Sequence, residues 1–325
     1  MTNSNAANLP VCNSFFRTGR VPAIPRLRWP LLITACMLAM TGCGGGGGGG
    51  DAATSGTAAT NGRPQAVDSG SLVQGHFARL NEIRLAMGLR ALTWNAALGD
   101  AAQRHSDYQA NSRNYGHSQT PGAAGYTAGS PAERATLAGY PLTGVVTETV
   151  ITTSGTSELD GRQSMDALLS APGHRTVLLA PEFTETGIGA PPLTTLVGYK
   201  TPASVPPDLV MLYPYDGQKD VQLSYAPPSE TPNPLPGVNI TGMPVSVQGG
   251  RLFVNFPITN HMLRESSTGQ NIALHKNEEA SYARSAFVFF PVDPLKPGTT
   301  YVFTADVVIG GVSKTVRSSF TTVAK

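Results

Sequence analysis

The stretch FARLNEIRLAMGLRALTWNAALGDAAQRHSDYQANSRNYGHS (residues 77–118) decides the fold. Three shorter phrases follow it: SPAERATLAGY (130–140), VTETV (146–150) and APGHRTVLLAPEFTETGIG (171–189). Leu72, Phe77, Leu80, Arg84 and Met87 recur at roughly helical spacing, and Gly88 follows as a C-cap residue. Trp94-Asn95 opens a second helix in which Leu98, Ala101, Ala102, His105 and Tyr108 share one face. Ser130-Pro131-Ala132-Glu133 is a capping box with proline at the first helical position, and Gly139 stops the short helix it begins. Residues 163–170 read as helix, and Pro172-Gly173 breaks it before His174 starts a further turn. Residues 145–153, 186–190 and 194–199 read as strands, so helices surround a small antiparallel sheet.

Beyond a linker at TPASVPPD (201–208) the texture changes. Short β-rich runs recur: LVMLYP, DVQLSY, PVSVQ, RLFVNFPI, NIALH, AFVFFP, TTYVFTADVVI and VSKTVRSSFTT. Turn pairs such as Asp216-Gly217, Pro297-Gly298 and Gly310-Gly311 lie between them, a pattern that predicts an antiparallel sandwich. His261 and His275 read as surface or strand-edge residues.

The order of the phrases in the first region resembles the bacterial branch of the CAP superfamily (cysteine-rich secretory, antigen-5 and pathogenesis-related proteins, or SCP domains). The phrase LKPGTTY (295–301), with SFTT (319–322), resembles bacterial Ig-like domains in which the tyrosine makes a corner bond. The implied fold class is α+β: a CAP-type α-β-α sandwich over residues 71–201, followed by an all-β Ig-like sandwich over 206–325.

The resemblance also implies a cleft lined by two histidines and acidic residues. His117, in Gly116-His117-Ser118, matches the first family histidine. Glu148 stands where the family usually has Gly-Glu-Asn, so only the carboxylate is kept. His174, in Pro172-Gly173-His174-Arg175, matches the second histidine of the bacterial branch, whereas the eukaryotic Gly-His-Tyr-Thr-Gln phrase is missing. His105 fits the bacterial pattern but stands outside the usual cleft set, and its place beside Leu98 and Ala102 favours a structural role. Glu185 is a weaker candidate. Arg134 and Arg175 read as caps or bridges.

Imidazoles and a carboxylate suit zinc or another divalent ion, with His117, Glu148 and His174 as the ligands. They equally suit a general base pair, since a carboxylate fixes an imidazole's tautomer and raises its pKa. A buried polar network that pins helix to sheet is the third reading. No residue is assigned a catalytic role. The chain has no Gly-x-Ser-x-Gly elbow, no His-Glu-x-x-His helix and no phosphate-cradling Gly-x-x-x-x-Gly-Lys loop.

Residues 1–43 read as an address. Arg17, Arg20, Arg26 and Arg28 precede an apolar stretch over 31–40, the length of a signal-peptide h-region and short for a bilayer span. It ends in Met40-Thr41-Gly42-Cys43, which resembles a bacterial lipobox with Cys43 as the lipidated residue. An ordinary secretory signal cut elsewhere and an uncleaved anchor are the alternatives. Gly44 follows the cysteine, which by resemblance to sorting in enteric bacteria implies the outer membrane. Residues 44–70, rich in Gly, Ala and Thr, read as a disordered tether with a reach of about 25–30 Å.

Cys12, Cys36 and Cys43 are the three cysteines, so a mature chain has no disulfides and no cysteine nucleophile. Removing the leader takes four arginines and no acids from a chain with 23 basic and 21 acidic residues, so the net charge turns slightly negative. Nothing then indicates a nucleic-acid partner, which calls for a basic face. Three classes remain: an envelope protein whose cleft binds a small, lipidic or polymeric ligand without catalysis, a His/Glu or metal-assisted hydrolase, and a structural or adhesion protein.

Overall fold

The computed structural model describes residues 70–325, apart from 142, 154, 251–255 and 276–285. The leader, Cys43 and the tether up to residue 69 lie outside the described residues, as does most of the expected run RLFVNFPI.

Among the described residues the first region forms five helices, and their ends follow local chemistry. Helix α1 (Ser71–Ala86) closes on Gly88, whose φ of 73° lets the Leu89 N–H reach back to the Arg84 carbonyl at 2.8 Å. Helix α2 (Ala96–Ser112) starts where the Asn95 side chain accepts the N–H groups of Ala97 and Leu98. Helix α3 (Pro131–Leu137) carries the reciprocal Ser130–Glu133 box read from the sequence. Helix α4 (Glu158–Ser170) begins before the expected Gln163, because Ser157 and Asp160 make a second box with aspartate in the place of the usual Glu or Gln. Helix α5 (Pro172–Leu178) follows the Pro172 break directly.

Strands β1 (Thr93–Trp94), β2 (Val145–Ile151), β3 (Glu185–Gly189) and β4 (Leu193–Tyr199) form one sheet in the order β1-β3-β4-β2. The expected all-antiparallel sheet needs one correction, since the two-residue β1 runs parallel to β3. Both faces are covered, as successive residues of β4 show. Leu196 packs with Leu98, Ala101 and Ala135 of α2 and α3, whereas Val197 joins Leu80, Met165, Leu169 and Leu178 of α1, α4 and α5. Helices on the two faces of a sheet whose central strand is buried on both sides are the expected layers.

The C-terminal region is mostly strands. β5 (Val210–Tyr213), β8 (Val245–Gly249), β10 (Leu274–His275) and β11 (Ala286–Pro291) make a sheet in the order β10-β11-β8-β5. β9 (Ile258–Glu265), β12 (Thr300–Ile309) and β13 (Val312–Thr321) make a second, ordered β13-β12-β9. A ribbon of β6 (Ser224–Tyr225) and β7 (Thr241–Gly242) stands beside them. Along β12 every second residue is buried, from Tyr301 through Phe303, Ala305 and Val307 to Ile309. These side chains meet Val245, Val247 and Phe289 of the other sheet in one core. The Tyr301 hydroxyl accepts the Lys296 N–H at 2.9 Å, which ties the start of β12 to the turn before it.

His261 is exposed on β9 and His275 half-buried on β10, both outside any cleft with Glu148. The two regions share an apolar cluster in which Leu80, Met165 and Phe183 of the first are continuous with Met211, Tyr213 and Val245 of the second.

Candidate functional site

Strand β2 is a free edge of its sheet, and the candidate site wraps that edge. Glu148 pairs in register with Leu196, so its carboxylate points to the α2/α3 face. There it meets the Arg134 guanidinium of α3, Nη2 to Oε2 at 2.7 Å, with both side chains 1% exposed. Arg134 also donates to the carbonyls of His117 and Ala128, which fixes the loop between α2 and α3 against the sheet.

The second carboxylate oxygen of Glu148 faces two imidazoles. His117, its side chain half exposed, donates Nδ1–H to Oε1 at 3.2 Å. His105 lies behind it, fully buried, with Nε2 at 3.5 Å from the same oxygen. The His105 Nε2–H goes to the Gly116 carbonyl at 2.8 Å, and Nδ1 accepts from Gln119 at 3.0 Å. Both ring nitrogens are thereby used, and Tyr108 stacks on the ring. Burial holds its pKa below the ordinary imidazole value, with Glu148 opposing. His105 thus packs behind the acid with both ring nitrogens hydrogen-bonded elsewhere.

His174 is placed differently from expectation. Its Nδ1–H goes to Glu230 Oε1 at 3.1 Å, and among the described residues no hydrogen bond or ion pair joins it to Glu148 or His117. Glu230 belongs to the C-terminal region and is 3% exposed. Burial works to raise the Glu230 pKa, but donors from His174 and Tyr225 outweigh it and hold the carboxyl below its ordinary value. The sequence reading missed this residue. It stands in an unpatterned Ser-Glu-Thr-Pro loop, 56 positions from its histidine, and only the tertiary packing brings the two together.

The expected convergence is therefore met in part. His117, Glu148 and His174 do line one hollow of about 140 Å³, but as two carboxylate–imidazole pairs, Glu148–His117 and Glu230–His174. In each pair Nδ1 is taken by the acid, so Nε2 is the nitrogen left for a ligand. Thr149 lines the same hollow, and its buried hydroxyl has no hydrogen-bond partner among the described residues.

Glu185 lies outside this hollow. Its carboxylate takes the Tyr140 hydroxyl at 2.7 Å and the Asn95 amide at 2.9 Å, with Lys200 at 3.5 Å. Burial would raise its pKa, but these donors outweigh burial and keep it low.

Divalent-ion chemistry is tested by the donors themselves. Arg134 holds one oxygen of Glu148 while His117 holds the other, and His174 is committed to a different acid. Among the described residues no group of three or more His, Cys, Asp or Glu side chains is arranged to hold a metal ion. The described residues do not fit the zinc site that imidazoles and a carboxylate at His117, Glu148 and His174 would suit.

Residues 77–194 match the model of the CAP family, described as the cysteine-rich secretory protein family. No curated protein sequence matches the chain. Among solved structures, an extracellular protein containing an SCP domain from Bacillus anthracis is 24% identical, with a TM-score of 0.33 and 39% of each chain covered. An outer surface protein from Borrelia burgdorferi is 16% identical, with a TM-score of 0.32, covering 42% of this chain and 98% of that one. The chain thus spans about two fifths of the length of the first of these.

Proposed function

We propose that this is an exported envelope protein whose CAP-like cleft binds a hydroxyl-bearing ligand, a lipid headgroup or a glycan segment, without catalysis. The observation that carries the reading is the pair of imidazoles held at Nδ1 by buried carboxylates beside one hollow. A neutral ring fixed in that tautomer presents Nε2 as a hydrogen-bond acceptor. Two such acceptors, with the unpaired Thr149 hydroxyl between the sheet and α5, suit a ligand that brings O–H donors. Native mass spectrometry and solvent extraction of protein isolated from membranes test it. A bound glycan or lipid is the expected result; an empty cleft that ignores both classes contradicts it.

The second reading is a hydrolase in which His117 activates water, since a carboxylate beside an imidazole is the arrangement of a general base. Arg134 weighs against it by neutralising the same carboxylate at 2.7 Å. No side-chain hydroxyl among the described residues hydrogen-bonds His117 or His174, so a nucleophile–base pair is lacking. Turnover of peptide or cell-wall substrates that disappears in His117→Ala would favour this reading.

Anchoring through acylated Cys43, with placement in the outer membrane, belongs to the same proposal and rests on the lipobox-like residues. Incorporation of an alkyne fatty acid that is lost in Cys43→Ala tests it. The β-rich region is read as an Ig-like module on its two sheets and Tyr301 corner.

A further inference from the structure

Four successive residues of α5 are each held by the C-terminal region. The Gly173 N–H donates to Glu230 Oε1 at 2.8 Å, and the His174 N–H donates to the same oxygen at 3.2 Å. Arg175, fully buried, donates to the Pro244 carbonyl at 3.2 Å and lies 4.6 Å over the Tyr213 ring. The Thr176 carbonyl accepts the Gln248 amide at 3.0 Å. The helix that carries His174 is thus gripped along its length by β5, β8 and the loop after β6.

Glu230 is the centre of this grip. One oxygen takes three donors from α5, and the other takes the Tyr225 hydroxyl at 2.8 Å. A carboxylate so saturated has little freedom, and it faces His174 Nδ1 at a fixed point. Glu230, Thr231 and Pro232 also line the hollow itself.

We infer that the C-terminal region completes the cleft: Glu230 is a positioning residue that sets the tautomer and orientation of His174, so both regions form one binding unit. This assigns the β-rich region a part in the site. The inference rests on the cleft reading above for its purpose, but its test needs no ligand.

Long-range proton–nitrogen correlation spectra of the soluble protein report the tautomer of each histidine. In the wild type His174 is expected as the Nδ1–H form at neutral pH; a dominant Nε2–H form there overturns the inference, whatever any variant does. In Glu230→Ala the ratio of Nδ1–H to Nε2–H at His174 should fall about tenfold, the size of losing one hydrogen bond to a charged group. His117 should stay unaltered as the internal control. Glu230→Gln keeps an acceptor oxygen, so it should retain the wild-type tautomer. A folded Glu230→Ala with an unaltered His174 contradicts the inference. Failure to find a ligand leaves these spectra unmoved, so the two readings fail separately.

Discussion

Glu148 and Arg134 form a salt bridge from which water is almost excluded, and that sets what each substitution does. Desolvating both charges is costly, and the pair repays it only while intact. Glu148→Gln leaves the guanidinium buried without its counter-charge, and a cost of about 3–5 kcal/mol is expected in chemical denaturation. His76 is a second buried group with a pH signature. Its Nδ1–H donates to the Gly161 carbonyl at 3.2 Å, so Nε2 accepts the Thr195 hydroxyl at 3.0 Å. Burial lowers its pKa from 6.5 to about 4. The unfolded chain therefore binds the proton first, and stability falls as pH drops through that window, by about 3 kcal/mol. His76→Gln should remove this part of the pH slope; a variant with the wild-type slope between pH 7 and pH 4 would show that His76 does not carry it. Nothing in the local pattern separates a buried His76 from an exposed one, because its partners come from α4 and β4.

At the scale of elements, the packing of α1 on α4 depends on two glycines that let the backbones touch. A Cβ at Gly75 would stand 2.0 Å from the Glu158 carbonyl oxygen, and one at Gly161 would stand 2.0 Å from that of Leu72. Gly→Ala gains about 1 kcal/mol of helix propensity, but the clash is with backbone that cannot rotate away. Gly161→Ala should therefore lower the melting temperature rather than raise it. Ser157→Ala, which removes one half of a capping box, should cost about 1 kcal/mol by the same measurement. Most helices and strands were legible because their signals are local: Asn95, the Ser130 box, Gly88 and the β-rich run TTYVFTADVVI that becomes β12. β9 was not, since only Leu263 and Glu265 of its eight residues are buried and the run ITNHMLRE carries no apolar alternation. The site was half legible. Glu148 and the two histidines stand in recognisable phrases, whereas Glu230 is supplied by a loop whose meaning exists only in the assembled chain.

Across the whole molecule, the cleft and the core both ignore the linker. Glu230 reaches α5 from the β-rich region, and one apolar cluster runs from Leu80 to Phe303. A continuous core predicts that the described part unfolds in a single cooperative transition. Two separate transitions in calorimetry would show instead that the regions are thermodynamically independent. Because the donors do not fit a metal site, a chelator should leave the melting temperature unaltered. The most direct test of the central claim follows His117 and His174 together while soluble oligosaccharides or lysophospholipids are added. The Nε2 resonances of both rings should shift with one shared dissociation constant. A response at only one ring, or at neither with every ligand of the two classes, would contradict it.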